Sequence, residues 1–136
     1  MSWDVSFIKC METYKNIAEI LEDAVPLDLG SVDETHLAIS RVFEGTDWSD
    51  PSWGIWESPN GVIEFSIGSA KEVASFTLHV RADDTVVPRI VELAKQNEWQ
   101  ALDCSTGDML EQSETPKTGL QGWRAYRDHL FNGIEE

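Results

Sequence analysis

The sequence predicts an α+β fold: a mainly antiparallel five-stranded sheet, with helices packed largely on one face, in the order β-α-β-β-β-α-β-α. Alternating apolar and polar side chains indicate strands, because successive side chains of a strand point to opposite faces. Apolar repeats at helical spacing, with capping signals, indicate helices between them. A chain of 136 residues has the length of one domain with one core. We expect residues 1–136 to form a single α+β domain.

Five stretches of the chain have the pattern of strands. Residues 3–10 and 99–104 are predicted to be the first and last strands, and residues 54–57, 62–67 and 74–81 a three-stranded meander between them. Proline, asparagine and glycine at the first joint of the meander suit a tight hairpin turn. Alternation in the second and third meander strands directs one set of side chains to the core. These predicted inward residues are Ile63, Phe65, Ile67, Ala74, Phe76, Leu78 and Val80.

Three helices are predicted to cover the sheet. Ser31 and Glu34 have the spacing of a capping box at the start of the first helix, residues 32–43. The second helix, residues 85–97, begins on a threonine cap with proline in its first turn. The third spans residues 119–131. With the helices largely on one face, the other face of the sheet is left relatively open.

The strongly acidic composition restricts the classes of partner. The formal net charge is −15, from 25 acidic and 10 basic residues. Contacts with nucleic acid or an anionic membrane would be made against a repulsive field, so we expect neither as a partner. The amino terminus lacks a secretion signal and no apolar run is long enough to span a membrane, so we expect a cytoplasmic protein. The sequence leaves the oligomeric state open.

Nothing in the sequence indicates a cofactor or a metal ion. His36, His79 and His129 lie on different predicted elements without paired spacing, and Cys10 and Cys104 are far apart in the chain. No local zinc pattern or glycine-rich phosphate loop is present. We expect no metal site, no cofactor, and two free thiols in a reducing compartment.

Residues 46–54 form the densest aromatic and acidic stretch. Rigid tryptophan area beside carboxylates is typical of an interface for a cationic protein partner. Alternatively, this stretch is a structural connection in which aspartates cap turns and tryptophans close the edge of the core. Both interpretations stay open. The predicted partner-binding residues are Asp47, Trp48, Asp50, Trp53, Trp56, Glu57 and Glu64.

A small enzyme or ligand-binding domain is the alternative hypothesis. If the second and third meander strands pair, Glu64 and His79 become neighbours and resemble an acid–base pair, with Asp103 approaching them in a pocket. Such cross-strand pairs are also common on solvated sheet faces. We therefore assign no catalytic residue and predict that the chain is not an enzyme.

Four segments of the chain, residues 46–54, 64–68, 78–81 and 101–107, resemble a group of small, acidic bacterial proteins that share no agreed activity. That resemblance spans most of residues 3–126. In size and charge the chain also resembles immunity proteins, the cytoplasmic antidotes of interbacterial toxins. The second resemblance implies a cognate protein toxin with a basic surface, whose active site is covered or whose substrate path is blocked. It implies no particular inhibitory residue.

Overall fold

Helices cover one face of an antiparallel sheet, and the α+β class is as predicted. The structure is a computed structural model that describes residues 2–20 and 26–135. Over these residues the chain forms nine strands and three α-helices. The strands are β1 Trp3–Cys10, β2 Pro26–Leu27, β3 Gly30–Ser31, β4 Asp47–Asp50, β5 Trp53–Ser58, β6 Gly61–Ser66, β7 Glu72–Val73, β8 Phe76–Ala82 and β9 Gln100–Asp103; the helices are α1 Val32–Val42, α2 Val87–Asn97 and α3 Thr118–Glu135.

The main sheet has the strand order β2-β1-β8-β6-β5-β4, and β9 also pairs with β1. Its described strand pairs are all antiparallel. The five predicted strands correspond to β1, β5, β6, β8 and β9. Four others were not predicted, β2, β3, β4 and β7, because segments of two to four residues are too short to show a period. The predicted strand count of five is therefore too low.

One set of strand side chains is buried beneath the helices. In β1 these are Trp3, Val5 and Phe7, and the predicted inward residues of β6 and β8 are buried as well. Ala74 is the exception: it is exposed, while Val73 beside it is buried. Val73 belongs to β7, which pairs with β3 outside the main sheet, and β8 begins only at Phe76. The alternation therefore does not extend back through Ala74.

The first helix begins where the sequence predicted. Ser31 Oγ accepts a hydrogen bond from the Glu34 amide at 3.1 Å, and Glu34 Oε1 accepts one from the Ser31 amide at 3.1 Å. This is the reciprocal capping box. The second helix starts differently. A 3-10 turn, Asp84–Val86, precedes α2, and Asp83 caps it by accepting the Thr85 amide at 3.0 Å. The predicted threonine cap was wrong, because Asp83 binds both the amide and the hydroxyl of Thr85.

A buried carboxylate of the sheet lies against the start of α3. Asp103 is 1% exposed, and its Oδ1 accepts hydrogen bonds from the Trp3 indole nitrogen at 3.0 Å and from the Ser105 amide at 2.8 Å. Gly119 lies against the same carboxylate, so closely that a Cβ there would be 1.8 Å from Asp103 Oδ2. The next residue, Leu120, is fully buried in the core. Docking of α3 therefore requires glycine at position 119.

Substituting this glycine tests the contact. Gly119→Ala should destabilise the fold by about 1–3 kcal/mol, because the new methyl group must displace the Asp103 carboxylate or the helix. Gly122→Ala is the matched control in the same helix, since a Cβ there would meet nothing within 4 Å. It should be neutral or stabilising by up to about 1 kcal/mol. Urea unfolding of both variants measures the difference, and equal stabilities would contradict the contact.

A second carboxyl group, that of Glu111, is partly buried and lies in the 3-10 helix Leu110–Gln112 that follows β9. Its Oε2 accepts a hydrogen bond from the Ala101 amide at 3.0 Å, and its Oε1 is buried without a partner among the described residues. Burial raises the pKa of Glu111 above its ordinary 4.5, against the opposing effects of backbone hydrogen bonds and of Lys95. The folded chain thus holds this proton to a higher pH than the unfolded chain does.

The pH dependence of stability follows from that difference. The contribution of Glu111 is fully present below its ordinary pKa of 4.5 and is lost as the pH rises through the raised folded value. Glu111→Gln stays neutral, so it should gain stability relative to the unsubstituted chain over that window. Urea unfolding at a series of pH values measures the gain, with Glu114→Gln in the following exposed loop as control. A difference that is independent of pH would contradict the assignment.

Candidate functional site

The face of the main sheet opposite the helices carries most of the predicted site. Residues that oppose each other on paired strands point to the same face. Glu64 lies opposite His79, and His79 lies opposite Asp4. We call the outward residues of β4, β5, β6, β8 and β1 the open face. They are Asp4, Ser6, Ile8, Asp47, Asp50, Trp53, Ile55, Glu57, Val62, Glu64, Ser66, Thr77, His79 and Arg81.

Negative charge on the open face is concentrated toward one edge. The open face contains five carboxylates and one arginine. Asp4 Oδ1 lies within hydrogen-bond distance of His79 Nδ1, at 2.9 Å, and Glu64 Oε1 forms an ion pair with Arg81 Nη1 at 3.1 Å, so both carboxylates have a basic side chain as a neighbour. The open-face carboxylates without a basic partner among the described residues are Asp47, Asp50 and Glu57. The uncompensated charge therefore lies on β4 and β5.

The two aspartates of β4 are held in fixed positions. Asp47 Oδ1 accepts hydrogen bonds from the amide and hydroxyl of Ser49, at 2.8 and 2.6 Å. Asp50 Oδ1 accepts the equivalent pair from Ser52, at 2.9 and 2.7 Å. These hydrogen bonds, the hydroxyl first, lower the pKa of both aspartates, since they favour the ionised form. Both side chains therefore remain charged and oriented at neutral pH.

Trp53 is the aromatic residue of the open face. Its ring stacks on the His79 imidazole, with 5.6 Å between centroids and 18° between planes. The imidazole is held in turn by Asp4. Ile55, two residues along β5, is 37% exposed on the same face. The centre of the open face thus presents a tryptophan whose orientation is set by its neighbours, beside the uncompensated carboxylates.

Trp48 lies on the helix side of the sheet edge. Its ring stacks on His36 of α1, with 3.9 Å between centroids, and its indole nitrogen donates to Ser40 Oγ at 3.1 Å. Gly54 makes room for the ring, because a Cβ there would be 2.5 Å from a ring carbon of Trp48. The structural interpretation, in which tryptophans close the edge of the core, describes Trp48.

Trp56 lies within the core. It is 5% exposed and packs edge-on against Phe43 at 5.1 Å between centroids, with the Arg89 guanidinium 5.5 Å above its ring. Its neighbours in β5, Ile55 and Glu57, point the other way. Strand alternation therefore separates Trp56 from the open face. Of the seven predicted partner-binding residues, the open face brings these five together: Asp47, Asp50, Trp53, Glu57 and Glu64.

The predicted enzyme pocket is not assembled. Glu64 and His79 are cross-strand neighbours as expected, but Asp103 lies on the helix side, opposite the inward residue Val5. The acid that contacts His79 is Asp4. Asp4 was missed because its alternation in β1 shows which face it occupies, whereas its proximity to His79 depends on the pairing of β1 with β8. The grouping of Glu64, His79 and Asp103 in one pocket was wrong.

The described residues contain neither a metal-binding cluster nor a membrane-spanning helix. Within residues 2–20 and 26–135, no three histidine, cysteine or acidic side chains are placed to share a metal ion. In the same ranges, no helix combines the length and the apolar character of a membrane span. Both cysteines are free thiols, and Cys104 is exposed with its Sγ 3.5 Å from Ser6 Oγ.

Comparison with known proteins assigns no family. The chain matches no protein-family model, no curated protein and no solved structure.

The different positions of two tryptophans predict different effects of substitution. Trp56→Ala should destabilise the fold by about 3–5 kcal/mol, since it removes a large buried ring. Trp53→Ala, on the open face, should cost about 1 kcal/mol. Thermal or urea unfolding of the two variants measures this. If Trp53→Ala were the more destabilising of the two, the assignment of Trp53 to a contact surface would be contradicted.

Proposed function

We propose that this chain is a protein-binding immunity protein, which uses the open face to cover a basic surface of a cognate toxin. Covering that surface blocks the toxin's active site or its substrate path. One observation carries the proposal: Asp47, Asp50 and Glu57, which have no basic partner among the described residues, share with Trp53 the sheet face opposite the described helices. The proposal assigns no catalytic step to the chain.

Electrostatics support a basic partner. A toxin that acts on nucleotides or nucleic acids needs a cationic site to bind phosphate. A chain with a net charge of −15 attracts such a site over a long range and speeds encounter. Fixed carboxylates at Asp47 and Asp50 then orient the docked pair, because their serine hydrogen bonds hold them in place. The field would thus favour a basic toxin and repel nucleic acid.

The exposed aromatic surface also supports a role in protein binding, because negative charge alone does not account for a tryptophan on this face. A tryptophan contributes a large contact area at low entropic cost, and it forms hot spots where neighbouring groups restrict it. Trp53 is restricted by His79, and Ile55 adds apolar area beside it. A cationic side chain of the partner could therefore contact the Trp53 ring and a neighbouring carboxylate at the same time.

The mode of binding we favour is through the face and not through the strand edge. β4 is an edge strand, and an edge can pair with a strand from another protein. Here the Ser49 amide is already bonded to Asp47, and the β4–β5 register shifts between Asp47 and Asp50. Acidic side chains and an irregular register both disfavour strand addition.

We place this activity in the cytoplasm. Two free thiols, Cys10 and Cys104, persist most readily in a reducing compartment. A cytoplasmic antidote also meets a toxin where nucleotide or nucleic acid substrates are found.

Reversing the uncompensated charges tests the proposal. The variant Asp47→Lys, Asp50→Lys, Glu57→Lys should slow association with the basic toxin at least about tenfold and reduce its salt dependence, because steering is lost. The control reverses three exposed acids outside the open face, Glu12, Asp28 and Glu114, for the same change in net charge. Co-expression and pulldown with the product of a neighbouring toxin gene identify the partner, and surface plasmon resonance at several salt concentrations gives the rates.

Two results would contradict the proposal. Equal losses in the two triple variants would mean that only net charge matters and that the open face is not the contact. Turnover of a small molecule that is lost in His79→Ala, with the fold intact, would favour the enzyme hypothesis instead.

A further inference from the structure

A cavity of about 300 Å³ lies beside Asp50, at one end of the main sheet. It forms where the turn between β4 and β5, the loop that follows β6 and the start of α1 meet. The residues that line it are Val32, Asp50, Pro51, Ser52, Gly68 and Ser69. Because Asp50 also belongs to the open face, the cavity adjoins the surface that we assign to the basic partner.

The cavity carries one formal charge, which is negative. Asp50 is the only ionisable residue among the six that line it. Three other clefts in the described part of the chain are each lined by both acidic and basic side chains. Lys71 follows Ser69 by two residues, but it neither lines the cavity nor forms an ion pair with Asp50. A cation in this cavity therefore meets a charge that no described residue balances.

Hydrogen bonds hold two walls of the cavity in place. The Pro51 carbonyl accepts a hydrogen bond from His36 Nε2 at 2.8 Å. The Ser52 carbonyl accepts hydrogen bonds from the amides of Ile67 and Gly68, at 3.0 and 3.3 Å. A side chain can therefore enter a cavity that is already formed, which lowers the entropic cost of binding.

The positive end of the α1 dipole, which would oppose a cation, is offset by groups around it. The Val32 amide donates to the Lys71 carbonyl at 3.2 Å, and the Glu34 amide donates to Ser31 Oγ at 3.1 Å. Asp33 and Glu34 add negative charge to the first turn of the helix. The potential at the cavity is therefore set mainly by acidic groups.

The hydrogen bonds of Asp50 favour a lysine over an arginine. Oδ1 accepts hydrogen bonds from the Ser52 amide and hydroxyl, so both of its lone pairs are used. Oδ2 accepts none from a described residue. An arginine fork binds a carboxylate best through both oxygens, whereas an ammonium group needs only one. The hydroxyl of Ser69, which lines the same cavity, offers a second acceptor.

We propose that this cavity receives a lysine side chain of the basic partner. The aliphatic stem packs against Val32 and Pro51, and the ammonium group donates to Asp50 Oδ2 and to the Ser69 hydroxyl. A long charged side chain commonly buries its methylene groups along apolar surface in this way. The lysine assignment rests on the proposed function, because the lysine is a residue of the toxin that the open face covers.

Titration of the full chain with Nα-acetyl-lysine methylamide, followed by NMR of the backbone amides, tests the site without the toxin. The amides of Ser52, Gly68 and Ser69 should shift and saturate. Nα-acetyl-norleucine methylamide keeps the stem but not the charge, so it should bind at least about fivefold more weakly. The corresponding arginine derivative should also bind more weakly than the lysine probe, because only one oxygen of Asp50 is open to it.

Two variants with the same change in charge give a matched comparison. Asp50→Asn should weaken binding of the lysine probe at least about fivefold, because the ammonium group loses its carboxylate. Asp47→Asn alters an aspartate of β4 that is held by the same kind of serine hydrogen bonds but does not line the cavity. Its effect should stay within about twofold. Asparagine keeps an oxygen that can accept the serine hydrogen bonds, so both turns are preserved.

Four outcomes would overturn the lysine site. They are the absence of saturable shifts at the cavity amides, equal binding of the lysine and norleucine probes, equal weakening by Asp50→Asn and Asp47→Asn, and an arginine probe that binds as tightly as the lysine probe. These outcomes leave the proposed function standing. Equal losses of toxin association in the two triple-charge variants would instead contradict the proposed function, and they would not alter the probe titration.

Discussion

Burial of a single face of an antiparallel sheet is the constraint on which the rest of this structure depends. In β1, the buried side chains of Trp3, Val5 and Phe7 alternate with side chains that point to the opposite face of the sheet. Residues that oppose each other on paired strands point to the same face, so the alternation in β1 determines the face of each residue on its partner strands. The helices bury the apolar side, and the polar side becomes a surface. Both the stability of the fold and the composition of the open face follow from this division.

The same constraint divides charged groups that are close in sequence or similar in type. Asp103 lies on the buried side, where it accepts hydrogen bonds from the Trp3 indole and the Ser105 amide, and Gly119 of α3 packs closely against it. Asp4 and Glu64 lie on the open side beside His79 and Arg81. The aspartates of β4 lie at the edge of the sheet. Among the described residues, Asp47 accepts hydrogen bonds from Ser49 and Asp50 accepts them from Ser52. Charge without a compensating partner therefore collects at one edge of the open face.

The sequence predicted the periodic part of this fold. Alternation located β1, β6 and β8, and the Ser31–Glu34 capping box located the start of α1. Short strands such as β4 were missed because their pairing, and not their composition, defines them. Within the candidate site, alternation along β5 is enough to place Trp53 and Trp56 on opposite faces. The side on which Trp48 lies could not be predicted, because its strand has a register shift and because Gly54 leaves room for its ring. The contact of Asp4 with His79 required knowledge of which strands pair.

We propose the open face as the surface that meets a basic protein. Hydroxyl-radical footprinting of the chain, free and in complex with the captured toxin, tests this directly. Trp53 and Ile55 should be oxidised in the free chain and protected in the complex, while exposed Leu37 on the helix side keeps its reactivity. Protection of Leu37 with Trp53 as reactive as before would show that the helices, and not the sheet, make the contact.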